Sequence, residues 1–324
     1  MPASIGDAFA CNDEAWAALE RGEAGLGRKR KTIRLTLDGR YGGLKAGDEV
    51  ARVIAVARSR PWFDSIHELS VIDLPLAPAD LKALGNLPHL GSIALYGMDC
   101  EPRLLMPFAE REGLLRLVVS DVTIDQAFLD AFADLPGLVE LSFNAPWITD
   151  AALWPFHHLQ SLEDVSFPGL DIGDKTLDWL GRQRSLREID LTGCGLISDA
   201  AMRRLSSCTA MRVLCLSYVP ITDAGLDWVD RCGDLQSVYL DNTGIGDGTL
   251  YRLAEVGVGW DACFDCTQIT APALFCLLQR SSMVECEASG CPNLPGEPPN
   301  CMANDMRHWL AEHLGVDPSR RASP

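Results

Sequence analysis

Apolar side chains stand at offsets zero, three and five of a block that recurs about every 24 residues. From Leu186 the block reads LREIDLTGCGLISDAAMRRLSSCTA. It carries Leu186, Ile189 and Leu191, then Cys194 at offset eight, an Ile-Ser-Asp step at 197–199, Met202 and Leu205, and a closing Cys208. The block from Met211 repeats it with Leu214, Leu216, an Ile-Thr-Asp step at 221–223, Leu226, Val229 and Cys232. Offsets three and five differ by two, the side-chain period of a strand. The later pairs differ by three, which places both on one helical face. Each block therefore predicts one strand, one turn and one short helix. Such a unit cannot bury its apolar edge alone and needs neighbours of its own kind.

The register extends over ten copies, starting at Ile66, Leu90, Leu114, Leu138, Leu162, Leu186, Met211, Leu235, Gly259 and Met283. Offsets three and five are apolar in each, from Leu69/Val71 to Cys286/Ala288. The last two copies are degraded, as befits an end. Helix starts are marked by Thr149-Asp150, Ser198-Asp199 and Thr222-Asp223, with Gly173-Asp174 and Gly246-Asp247 as weaker versions. A hydroxyl and an acid there suit the free N–H groups of a helix N-terminus. The periodic aspartate thus reads as capping, not as a catalytic series.

Three segments follow. Residues 1–65 form an N-terminal segment and capping repeat, with a short helix predicted over Asp13–Arg21, a strand over Thr32–Leu37 and a helix over Ala46–Ser59. Residues 66–294 are ten repeats. Residues 295–324 begin with the breaker Pro295-Gly296-Glu297-Pro298-Pro299. They continue as an amphipathic helix over Met302–Leu314, with Met306, Trp309, Leu310 and His313-Leu314 on the buried side, and end in a disordered tail.

Charge changes the picture more than composition does. The 324 residues carry 45 acidic and 28 basic side chains, a formal charge of −17. That balance argues against nucleic acid and anionic membrane as partners. The basic run Arg28-Lys29-Arg30-Lys31 reads as a solvated linker. No apolar run approaches the ~18 residues of a membrane span, and the N-terminus lacks an apolar signal core. Several of the 12 cysteines occupy repeat-equivalent apolar positions, which predicts reduced, buried thiols and a cytoplasmic protein. Only five basic residues are lysine, a composition that suggests a bacterial source.

The pattern L-x-x-L-x-L-x-x-C/T-x-I-T-D-x-x-L-x-x-L resembles leucine-rich repeats of the cysteine-containing class, known from F-box proteins. The resemblance covers residues 66–294 and is best over Leu186–Asp234. It implies an α/β solenoid (a horseshoe) with a parallel sheet on the concave side, helices on the convex side, and a role in binding other proteins. The class cysteine stands only at Cys194 and Cys291. The N-terminal segment does not read as an F-box.

Offsets two, four, six and seven should line the concave surface. Over the ten copies they hold twelve acids against one base, Arg116. The expected partner-binding residues are Glu188, Asp190, Tyr218, Tyr239, Asp241, Asp261, Asp265, Glu285 and Glu287. An acidic field there would steer a basic protein partner, and tyrosine is a common anchor at interfaces. Cys263-Phe-Asp-Cys266 is the one C-x-x-C, and a second is absent, so a four-ligand zinc site is not expected. Cys263 and Cys266 do fall on concave offsets, within reach of Cys291. H-E-x-x-H, G-x-S-x-G and the phosphate-binding G-x-x-x-x-G-K-[ST] are all missing, so neither catalysis nor a cofactor is expected. The leading expectation is a monomeric, non-enzymatic interaction scaffold. The alternatives are a substrate-recognition subunit of a ubiquitin-ligase-like complex or bacterial effector and, third, a cryptic thiol or metal site.

Overall fold

The computed structural model describes residues 33–38, 54–55, 57–59, 63–299 and 302–318. The helix expected over Asp13–Arg21, the basic run at 28–31 and most of the tail lie outside the described residues. So does most of the Ala46–Ser59 helix, of which Ile54 and Ala57 are seen and buried. The chain divides into two compact units, residues 1–145 and 146–324.

In the first unit, strands β1 (Ile33–Asp38), β2 (Ile66–Ile72), β3 (Ser92–Tyr96), β4 (Arg116–Ser120) and β5 (Glu140–Asn144) pair in chain order, all parallel. Leu69, Ile93, Leu117 and Leu141 stand opposite one another in register and are buried. Helices α1 (Pro78–Gly85), α2 (Met106–Ala109) and α3 (Gln126–Ala133) return the chain from one strand to the next. α3 starts at Asp125, whose carboxylate accepts the Phe128 N–H at 2.9 Å. Phe128, Leu129 and Phe132 form its buried side, following the three- and four-residue spacing of a helical face.

The second unit repeats the scheme with shorter strands. β6 (Asp164–Ser166), β7 (Glu188–Asp190), β8 (Val213–Cys215), β9 (Ser237–Tyr239), β10 (Asp261–Cys263) and β11 (Glu285–Glu287) pair in order, again all parallel. Val165, Ile189, Leu214, Val238, Ala262 and Cys286 make one in-register column, each at most 3% exposed. Removing the valine, isoleucine and leucine side chains of this column from water stabilises by about 1.5–3 kcal/mol each. Offset five adds a second buried column: Phe167, Leu191, Leu216, Leu240 and Phe264.

The second halves are less uniform than their spacing suggests. α4 (Asp150–Leu153) and α6 (Asp199–Met202) are single turns that continue as 3₁₀ helix over Trp154–His158 and Arg203–Ser207. α5 (Asp174–Leu180), α7 (Asp247–Val256) and α8 (Ala271–Arg280) are longer. The block after β8 has no α-helix, only turns and a 3₁₀ turn at Val229–Arg231. Gly225 explains part of this. Glycine lowers helix propensity, and a Cβ here would press on the Asp199 carboxylate, 2.6 Å from its Oδ1. α9 (Ala303–Leu314) packs on α8 and the β11 edge, burying Ala303, Met306, Leu310 and Ala311. His313, expected on that buried side, is exposed, and Trp309 is half-buried beside it.

The periodic aspartates act across repeats, not within them. Asp223 accepts the N–H groups of Gly246, Gly248 and Thr249 and the Thr249 hydroxyl, at 2.6–3.1 Å. Asp150 does the same for Gly173 and Thr176, Asp199 for Thr222, and Asp247 for Thr270. Each carboxylate thus satisfies donors at the next repeat's turn or helix start. Among the described residues, it is Asp125 and the hydroxyls of Thr149 and Ser198 that cap their own helices.

Burial alone would raise the carboxyls of Asp150 and Asp223. The hydrogen bonds from the next repeat outweigh it and hold both below the usual range. A depressed value stabilises the fold above the unfolded carboxyl value near 4, and that stability is lost as pH falls through the folded value. Asp223→Ala should therefore cost about 2 kcal/mol at neutral pH, and the loss should shrink below about pH 4. Denaturant melts at pH 7 and pH 3 that show equal losses would contradict this.

Candidate functional site

Alternation along each strand puts offsets two and four on the face of the sheet opposite the buried columns. In the second unit the offset-two row is Asp164, Glu188, Val213, Ser237, Asp261 and Glu285. The offset-four row is Ser166, Asp190, Cys215, Tyr239, Cys263 and Glu287. Asp241 and Asp265 follow at offset six. All seven expected carboxylates therefore share one face, but they do not form an unbroken series. Glu188 and Asp190 lie on β7, and Val213 and Cys215 of β8 separate them from the rest. The dense group is Asp241, Asp261, Asp265, Glu285 and Glu287. With Tyr239 and Cys263 they line a depression of about 370 Å³. Glu188, Asp190 and Tyr218 stand outside that lining.

Neighbouring strands are about 4.8 Å apart, so direct neighbours such as Asp261 and Glu285 repel. Local donors hold some of the carboxylates. Asp190 accepts from Ser166 and the Thr192 N–H, Asp241 from Ser217, and Asp265 from the Ser289 N–H at 2.6 Å. Among the described residues, none of the seven lies in an ion pair.

The first unit differs here, in a way the sequence columns understated. Arg34, in the irregular first repeat, falls in register with Glu68, and Arg116 with Glu140. Both pairs close at 2.5 Å. So Arg116 is not the one base on these columns, and the first unit's carboxylates Glu68 and Glu140 are neutralised. Among the described residues, the denser group of acids outside any ion pair belongs to the second unit.

Offset seven holds a regularity that the backbone reveals. Asp73, Gly97, Asp121, Gly169, Gly193, Tyr218, Asn242, Cys266 and Gly290 all have positive φ, between 48° and 73°. Glycine, asparagine and aspartate tolerate that conformation, while other residues pay about 1–2 kcal/mol. Tyr218 (φ 61°) is 61% exposed, so burial does not offset its strain. The conformation belongs to the repeat's turn and recurs whatever residue stands there, so it is the exposure of the Tyr218 ring that keeps it a candidate partner contact. Tyr218→Gly should leave stability within about 1 kcal/mol of wild type or raise it. The same variant should bind the partner more weakly. A clear loss in a calorimetric melt would instead make Tyr218 structural.

In four of the ten copies offset eight carries a hydrogen-bonding side chain inside the core. Cys194 Sγ donates to Phe167 O at 3.0 Å and Cys291 Sγ to Phe264 O at 3.1 Å. Thr243 and Thr267 reach Leu240 O and Phe264 O, both at 2.6 Å. Cysteine and threonine alternate there because both offer a short donor to a strand-end carbonyl.

The thiols do not assemble as C-x-x-C suggested. Cys291 is buried on its carbonyl, and Cys266 is exposed. Cys263 instead meets carboxylates: its Sγ and oxygens of Asp265 and Glu287 lie within 4.8 Å of one another. Burial, with Asp265, Asp241 and Glu287 nearby, pushes the Cys263 thiol up to about 12. Burial and Asp190, Glu188 and Asp241 push Cys215 there too. At neutral pH these thiols stay protonated, which makes them poor nucleophiles. Three donors also fall short of the four of a closed zinc site.

No family model and no curated protein matches the chain. Solved structures do. An internalin (inlF) from Listeria monocytogenes is similar over 72% of this chain and 69% of its own, at 19% identity and TM-score 0.52. Rad7, in its yeast complex with Elc1, is similar over 94% of this chain and 80% of its own, at 16% identity and TM-score 0.55. The fold is that of leucine-rich repeats. At these identities the likeness concerns fold alone. In this chain the sheet face opposite the buried columns carries the acidic field. Among the described residues no helix is long and apolar enough to cross a membrane.

Proposed function

We propose that the protein is a non-enzymatic interaction scaffold whose second unit binds a basic surface of a partner protein on its acidic sheet face. One observation carries this reading. Seven carboxylates share one face without an ion pair among the described residues, whereas the first unit's Glu68 and Glu140 are matched by arginines. Self-repulsion of this kind lowers stability unless something else neutralises it. A basic partner would do so, and the field would raise its association rate. The proposed arrangement is a cap over residues 1–65, repeats over 66–294 and a closing segment over 295–324. It belongs to a cytoplasmic monomer of the cysteine-containing repeat class.

A second reading follows from that class: a substrate-recognition subunit that docks through residues 1–60. Rad7 is itself recorded in complex with Elc1, but the likeness to it is one of fold, and the charge pattern favours the first reading. The test is capture from native lysate on immobilised protein at low ionic strength, followed by mass spectrometry. A partner released by a salt step, and not retained by protein with the face acids replaced by amides, supports the proposal. A partner captured equally by both points away from the face.

A further inference from the structure

The geometry points to an apolar anchor at the border of this acidic face, formed by Trp260, Val284 and Met302, that receives one bulky apolar side chain of the basic partner segment. Trp260 and Val284 occupy the same position in the last two repeats, immediately before β10 and β11. Their backbones are bonded directly, Val284 N–H donating to Trp260 O at 2.7 Å. Met302 is held alongside, by a bridge to Glu285 and by the Ala303 N–H donating to Val284 O at 3.0 Å. The three are 61%, 55% and 40% exposed. Equivalent positions earlier in the unit hold polar residues: Glu163, Arg187, Arg212 and Gln236. Three large apolar residues left in water on adjoining segments need an explanation that scattered ones do not. Tryptophan is also the residue most enriched in interface hot spots.

Charge decides the occupant. The residues next in chain, Asp261 and Glu285, are acids of the same face, so whatever covers the anchor meets negative charge within one residue. A second copy would bring its own acids there, on a chain of net charge −17, because a two-fold interface sets a patch against itself. A partner segment with lysine or arginine flanking an apolar residue is complementary on both counts. This inference rests on the acidic-face reading and extends it from a surface to a pattern within the partner.

The test uses the full chain and two fluorescein-labelled peptides, read by fluorescence anisotropy. One alternates arginine and glycine around a central leucine, and the other has serine in place of the leucine. Wild type should bind the leucine peptide about tenfold more tightly, the value of burying one such side chain. The variant Trp260→Ser with Val284→Ser changes two exposed side chains, so folding is not at issue, and it should bind both peptides alike. The variant Asp261→Asn with Glu285→Gln should bind both more weakly. Equal affinity of wild type for the two peptides would overturn the anchor while leaving the acidic face standing. Leucine dependence surviving in the serine variant would place the anchor elsewhere and also overturn it. If neither peptide binds, the anchor and the acidic-face reading fall together. Two results would name a different occupant and reject the proposal. One is a dimer in sedimentation velocity that the serine variant loses. The other is a tenfold gain in peptide affinity when Arg28, Lys29, Arg30 and Lys31 are changed to serine, which would assign the site to the chain's own basic run.

Discussion

Ile189→Asp should melt about 10 °C below wild type. Ile189 is 1% exposed and lies between Val165 and Leu214 in the buried column of the second unit. The substitution removes a full aliphatic side chain and puts a carboxyl in its place without a charged partner. Loss of the apolar contacts costs about 2–4 kcal/mol and the stranded polar group adds to it, even if it stays protonated. A total of about 4 kcal/mol corresponds to that shift for a unit of this size. Leu196→Asp is the control. It lies in the same repeat, is 64% exposed, and should melt within about 2 °C of wild type. Far-UV circular dichroism melts in which the two variants behave alike would mean that the strand register is wrong.

That register was legible because burial imposes it. One face of each strand must be apolar, and the 24-residue step repeats the demand until the columns are visible in the letters alone. The face of each candidate residue follows from the same step, since alternation leaves Glu188, Asp190, Asp261 and Glu285 no other side. What was not legible depends on where a side chain reaches. Asp223 looks like an N-terminal cap because it follows Thr222, yet its carboxylate bonds donors 23 to 26 residues further on. Only stacking brings those donors close. Arg34 escaped the column count because its repeat is irregular, so the 24-residue step does not land on it. Spacing suggested C-x-x-C as a unit, but residues three apart at the end of a strand diverge. Cys263 faces carboxylates while Cys266 sits in a left-handed turn. The offset-seven signal was present in the letters as glycine, asparagine and aspartate. Tyr218 and Cys266, which break that composition, hid it.

Asp190→Asn, Asp241→Asn, Asp261→Asn and Glu287→Gln together should leave the fold intact or slightly more stable. The amides keep an acceptor oxygen for the Thr192 N–H and the Ser217 hydroxyl, and they remove like charges that repel across strands. Binding moves the other way. Exposed charge pairs contribute about 0.2–1 kcal/mol each, so four neutralised positions should weaken the partner's binding by about 2 kcal/mol, roughly thirtyfold. The loss should fall mainly on the association rate, because steering acts before contact. It should also fade as salt shortens the Debye length from about 10 Å at 0.1 M towards 3 Å at 1 M.

The most direct measurement is therefore the association rate constant of the captured partner, by stopped-flow fluorescence, for wild type and the fourfold amide variant across that salt range. The acidic-face account predicts a steep fall with salt for wild type, a shallow one for the variant, and convergence of the two at high salt. Parallel curves with equal affinity at low salt would contradict it and place the binding surface away from these carboxylates.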